Sequence, residues 1–278
     1  MSEERKIINQ QFKIKGDVTI SDVVTSIPSG FNGPIFITGD LTITDDDILN
    51  FGYSDMWIFN EMHISGNLRE DINKKNADLL KLDEIWLTVQ GDLYCDKSII
   101  LNHLALLVRG NIETYGDINA REIKVSGDLY SDLSVTATND IIIRGDFTSG
   151  YNILASYIDV RGNLVCDTVC AKDINVLGNF SFENSGCLDG VKIDNNLHVR
   201  GNMMCTSLEA TNISIGGYLI CDTSIKTDGS LIVGGDLKCC SIDSKDEIII
   251  ICKRLILGWL QKRDAFSISL LLLIAILK

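Results

Sequence analysis

The sequence predicts an all-β protein: a single-stranded parallel β-solenoid, right-handed, with about twelve coils of roughly 17–18 residues. Three observations predict it. Gly16, Gly39, Gly66, Gly91, Gly110, Gly127, Gly145, Gly162, Gly178, Gly201, Gly217 and Gly235 recur along the chain, and all but Gly217 are followed by Asp or Asn. Two residues before each glycine stands Ile or Val, from Ile14 to Val233, and four before it an apolar residue, from Phe12 to Leu231. Two residues after it another apolar residue follows, from Val18 to Leu237. Apolar positions two apart mark a strand with one buried face, since a helix would repeat every 3.6 residues.

Each motif reads as strand, corner, strand. β-Branched residues favour the pleated backbone before the corner. Glycine tolerates a sharp bend, and Asp or Asn can bond the local backbone there. A second strand signal follows, as in Val135–Ala137, Val169–Ala171 and Leu208–Ala210. From Gly91 to Gly235 most glycines are 16–19 residues apart. The earlier gaps are longer, and residues 45–61 and 69–84 read as insertions leaving the stack, with another near 183–190. The solenoid domain is expected over residues 1–246. Residues 247–278 drop the motif and become basic and then apolar, which reads as a non-repeat tail that caps an exposed end. Cys95, Cys166, Cys205, Cys221 and Cys239 stand four residues after a glycine and are expected to share one inward column.

Composition narrows the function. A net charge of −13 disfavours nucleic acid and anionic membrane surfaces, which both need clustered cations. Nine cysteines and a polar start, MSEERKIINQQ, fit reduced thiols in the cytoplasm with no secretion signal. The apolar run near residue 270 is too short to span a bilayer, although it could touch one. No phosphate-binding loop, nucleophile elbow or zinc-protease motif is present, so catalysis is not expected and no cofactor is implied.

The candidate binding residues fall into two groups. Asp45, Asp46 and Asp47, with Tyr53 and Trp57, lie in the first insertion, where the carboxylates could serve glycoside cleavage and the aromatic rings could stack on a bound sugar. Three consecutive acids also suit a helix start. Arg109, Arg144, Arg161 and Arg200 each precede a motif glycine and could grip a polyanion, or pair with acids of the next coil. The Gly-Asp column suggests calcium, but the dense spacing of calcium-binding repeats is missing and no metal site is expected.

The coils Val108-Arg-Gly-Asn-Ile112, Val125-Ser-Gly-Asp-Leu129 and Val160-Arg-Gly-Asn-Leu164 resemble those of bactofilins, bacterial polymer-forming β-helix proteins, over roughly residues 87–240. The resemblance implies a cytoplasmic scaffold that assembles with its own copies without a nucleotide. The insertions and the tail depart from that family. A structural or self-assembling scaffold is the leading expectation, with self or another protein as partner. The alternatives are a carbohydrate- or protein-binding module that uses the N-terminal insertions, and a polysaccharide-acting enzyme.

Overall fold

The computed structural model describes all residues except 1–4, 9–10, 32, 52–54, 59, 73–84, 183–189, 247, 252–254, 263–267 and 271–278. For Arg5–Ile8, Leu255–Lys262 and Ile268–Leu270 it describes the backbone alone. The chain groups into two units, Met1–Gly145 and Asp146–Lys278. Each is a parallel β-solenoid with three faces.

In the first unit, one face stacks Gln11–Ile14, Ile35–Ile37, Met62–Ile64, Leu93–Cys95, Ile112–Thr114 and Leu129–Ser131 in parallel register. The second face stacks Val18–Thr19, Leu41–Thr44, Leu68–Asp71, residues 99–101, residues 118–120 and Val135–Ala137. The third stacks Met56–Ile58, Trp86–Val89, residues 105–108, residues 123–125 and residues 141–143. Arg5–Ile8 is an exception, pairing antiparallel with Gln11–Ile14.

This register corrects the coil count. Gly16, Gly39 and Gly66 lie at the corner between the first and second faces, because the strands before them belong to the first face. Gly91, Gly110, Gly127 and Gly145 lie at the corner between the third and first faces. Gly66 and Gly91 are thus two corners of one coil, and counting glycines counts that coil twice. The insertion over 45–61 is corrected in the same way. Met56–Ile58 is a rung of the third face, and Asn60–Glu61 is the corner on which Gly91 stacks. Of residues 69–84, Arg69 to Asp71 also stay in the stack, and 73–84 lie outside the described residues.

In the second unit the faces begin with Phe147–Ser149, Asn152–Leu154 and Tyr157–Val160, and each continues in parallel. The stretch expected to leave the repeat after residue 247 keeps pairing. Ile248–Ile250 pairs with Leu231–Val233, Leu255–Lys262 with Leu237–Ser244, and Ile268–Leu270 with Ile248–Ile250. Parallel pairing needs only backbone groups and an apolar inner row, so it persists where the Gly-Asp motif stops. The side chains of 255–278, on which an end-cap role depends, lie outside the description.

The apolar columns are the core. Every residue two before, four before or two after the twelve glycines is at most 4% exposed. Polar residues between them face outward, as the strand period demands.

The corners lock the coils together through side chains. Asp92 Oδ1 accepts the Asn111 N–H at 2.6 Å, and Asn111 Oδ1 accepts the Asp128 N–H at 2.8 Å. In the second unit Asp146, Asn163, Asn179 and Asn202 hand the same bond on to Tyr218, at 2.6–3.0 Å. The Asp or Asn therefore bonds the next coil rather than its own turn. This explains the glycine before it. A Cβ there would collide with the acceptor oxygen or the glycine carbonyl of the preceding coil. Only Gly16 and Gly30, among the described glycines, have positive φ, so close approach, not a left-handed backbone, is the general requirement. A matching ladder runs along the other corner of the first unit, through Asp17, Asp40, Asn67, Ser98 and Asp117 to Ser134.

Candidate functional site

The three aspartates of the first insertion build a helix start. α1 (Ile20–Ser26) and α2 (Asp45–Asn50) each begin with a reciprocal capping box, Thr19 with Asp22 and Thr44 with Asp47. Asp47 is 2% exposed. Its carboxylate accepts the Thr44 N–H and hydroxyl, both at 2.8 Å, and the Ser21 N–H at 3.0 Å, so it ties α2 to α1. Thr19–Asp22 and Thr44–Asp47 share the T-x-x-D spacing, the local mark of both helix starts, which sequence reading did not use. Asp46 is exposed and Asp45 half-buried. Tyr53 lies outside the described residues. Trp57 is 41% exposed on the outer side of the third face. Replacing Asp47 with Ala is expected to cost about 2 kcal/mol, one cap and one further bond. Faster amide hydrogen exchange at Ser21 and Thr44 would register it.

All four arginines are exposed, and among the described residues none has a carboxylate within 4.0 Å. The expected pairing with acids on the next coil is therefore not formed. The arginines do not make a continuous strip. Backbone bonds place Arg109, Ser126 and Arg144 on successive rungs of the first unit, and Arg161, Leu177, Arg200 and Gly216 on successive rungs of the second. The two arginines of each unit are two rungs apart, about 10 Å.

A feature that sequence reading missed lies on the outer side of the first unit's first face. The Phe36 and His63 rings stack at 4.3 Å and 9°, and His63 and Tyr94 at 4.4 Å and 8°. Lys13 Nζ lies 5.6 Å from the Phe36 ring centroid. The register explains the ladder, since Phe36, His63 and Tyr94 are successive in-register partners. The rings cover one another's faces, and flat sugar stacking needs open ones. Burial, then the Asp92 and Glu61 carboxylates, raise the Tyr94 phenol above its usual range. On the third face Lys124 Nζ lies 4.4 Å and Arg121 Cζ 5.9 Å from the Trp86 ring centroid, and Glu122 holds Lys124 at 2.7 Å.

Two shallow recesses lie among the described residues of the second unit. One, of about 120 Å³, is lined by Lys192, Asp194, Glu209, Thr211, Lys226 and Asp228. Three of its charged side chains are in ion pairs, Lys226 with Glu209 and Asp228 with Lys245, both at 2.6 Å. The other, of about 70 Å³, is lined by Phe182, Met204, Cys205, Thr206, Ile220 and Asp222.

The expected cysteine column is inward. Cys95 in the first unit, and Cys166, Cys205, Cys221 and Cys239 in the second, are all buried. Phe182 interrupts the second unit's column above Cys166. The column also makes hydrogen bonds. Cys95 Sγ donates to the Gly66 carbonyl at 3.3 Å, Thr114 Oγ1 to that of Lys97, and Ser131 Oγ to that of Gly116 at 2.9 Å. Small side chains with one proton to give suit this corner. Burial pushes the Cys239 thiol up to about 12 and the Cys166 thiol higher still. Unfolded thiols titrate near ~8.5. The unfolded chain then loses these protons first, so stability is intact below about pH 8.5 and falls as pH rises to about 12. The Cys166→Ala, Cys239→Ala variant is expected to show a shallower alkaline decline of its urea midpoint than the parent.

Among the described residues, no three His, Cys, Asp or Glu side chains gather closely enough to hold a metal ion. The ladder carboxylates bond backbone N–H groups instead. No described helix is long and apolar enough to cross a membrane. No protein-family model, curated protein or solved structure matches the chain.

Proposed function

We propose that the protein is a structural scaffold that assembles with further copies of itself. The observation that carries this reading is the interlocked corner ladder. Within each unit successive coils present the same backbone edge, most of them with an Asp or Asn acceptor for the neighbour, and such an edge is a template for adding further strands. The resemblance of the coils around Val108, Val125 and Val160 to bactofilins supports the same reading. The exposed arginines offer lateral contacts to carboxylates of another copy.

Negative-stain electron microscopy and sedimentation of the full-length chain, beside a chain ending at residue 246, test the proposal. Filaments or ordered assemblies of the full-length chain are expected. A strictly monomeric particle at the highest attainable concentration would overturn it. The shorter chain loses the rungs on Leu231–Val233 and Leu237–Ser244, and more assembly there would place the growing edge at that end.

A second reading, a protein- or glycan-binding module, is favoured by α1 and α2, which break the uniform coil pattern of the first unit. Trp57→Ala tests it better than deletion of 45–61, because deletion removes the Met56–Ile58 rung. Unchanged binding of an identified ligand by that variant would count against it.

A further inference from the structure

The second unit places Cys205 and Cys221 as direct register partners on adjacent parallel rungs. Both side chains face inward, at 5% and 1% exposure. In-register neighbours lie about 4.8 Å apart, and a disulfide spans Cα separations of roughly 4.4–6.8 Å. The two thiols are neighbours in the inward column, because the rungs that carry them pair in register. Cys221 is held from its other side too, its sulfur lying 3.2 Å from the Ser224 carbonyl and 3.5 Å from that of Thr206. Most buried thiols are sealed from reagents. One member of this pair is not, because Cys205 lines the recess between Phe182, Met204, Thr206, Ile220 and Asp222. A water needs only about 10–15 Å³ of such space, so the recess of about 70 Å³ is large enough for a small hydroperoxide.

We propose that Cys205 and Cys221 form a redox-sensitive pair that a small hydroperoxide converts into a disulfide bridging two coils. One thiol loses its proton, and the thiolate attacks the terminal peroxide oxygen. The O–O bond breaks, the sulfur becomes a sulfenic acid, and the leaving hydroxide takes the proton to leave as water. The second thiol then attacks the sulfenic sulfur, forming the S–S bond and releasing a second water. Two thiols and hydrogen peroxide thus give one disulfide and two waters, with sulfur oxidised and peroxide oxygen reduced. The bridge joins rungs that are already paired, so it closes a loop of the unfolded chain.

The test uses the full-length chain treated with hydrogen peroxide and digested under conditions that block exchange. A linked peptide pair holding Cys205 and Cys221, lighter by two hydrogens than its reduced form and restored by dithiothreitol, is expected. Its yield should exceed that of any other linked pair at least tenfold. Bulky maleimide reagents should leave both residues unlabelled in the native protein while labelling exposed Cys170 and Cys240. A linkage of Cys221 to Cys239 instead, or sulfinic acid at Cys205 without a bridge, would overturn the proposal. Both readouts use the parent sequence, so no variant needs to fold. Filament formation is not measured, and the outcome is independent of the scaffold reading.

Discussion

Val160→Asp is expected to abolish cooperative folding of the second unit. Val160 is fully buried in Tyr157–Val160 and pairs with Val176 on the next rung. Its neighbours in the strand and across it, Ile158 and Ile174, are buried and apolar. A carboxylate there has no donor of its own and no water, at a cost on the order of 4–5 kcal/mol. That is a large part of an ordinary domain's stability. Loss of the β-sheet circular dichroism signal at 25 °C, or of a cooperative urea transition, is the expected result. A parent-like transition would refute the register. Asp128→Ala is the control. Asp128 sits at an exposed corner and keeps its backbone bond to Asn111 as Ala, so the expected cost is at most about 1 kcal/mol.

Gly178→Ala is the second substitution with a large expected effect, although it adds one methyl group. A Cβ at Gly178 would lie 2.6 Å from the Gly162 carbonyl carbon and 2.8 Å from Asn163 Oδ1. The first obstacle is backbone and cannot turn aside. Relief requires parting two coils, which weakens the Gly178 N–H to Gly162 carbonyl bond at 3.0 Å and the Asn179 N–H to Asn163 bond at 2.9 Å. The expected loss is about 3 kcal/mol. Gly16→Ala separates the two roles of glycine. Nothing lies within 4 Å of its added Cβ, but its φ is +96°, so the cost is backbone strain of about 1–2 kcal/mol. Urea unfolding of both variants measures the difference. Equal costs would mean that conformation, not close approach, selects glycine at these corners.

Much of the candidate surface was hidden from sequence reading for a definable reason. Asp45, Asp46 and Asp47 looked like site carboxylates because residue type alone does not say where a side chain points. The capping contact of Asp47 with Thr44 is local, but its bond to the Ser21 N–H needs the position of α1, which lies in another coil. The Phe36–His63–Tyr94 ladder joins residues 27 and 31 positions apart in sequence, and only the stacking register brings them together. The Cys205–Cys221 pair was closer to legible, because both stood in the column four after a glycine. Its pairing in register and the opening of Cys205 to the recess were not.

The sequence by itself determined which residues face inward and where the chain turns. Period-2 burial and the glycine corner are local consequences of strand geometry, and each can be read from about eight neighbouring residues. The tertiary structure decided which corner stacks on which. Gly66 and Gly91 carry the same local motif, yet they occupy different corners of one coil, because Met56–Ile58 rather than Met62–Ile64 supplies the rung beneath Trp86–Val89. The motif is chemically identical at either corner: a close approach and an acceptor for the next coil's N–H. Local chemistry therefore cannot distinguish the two, and only the pairing of whole coils does.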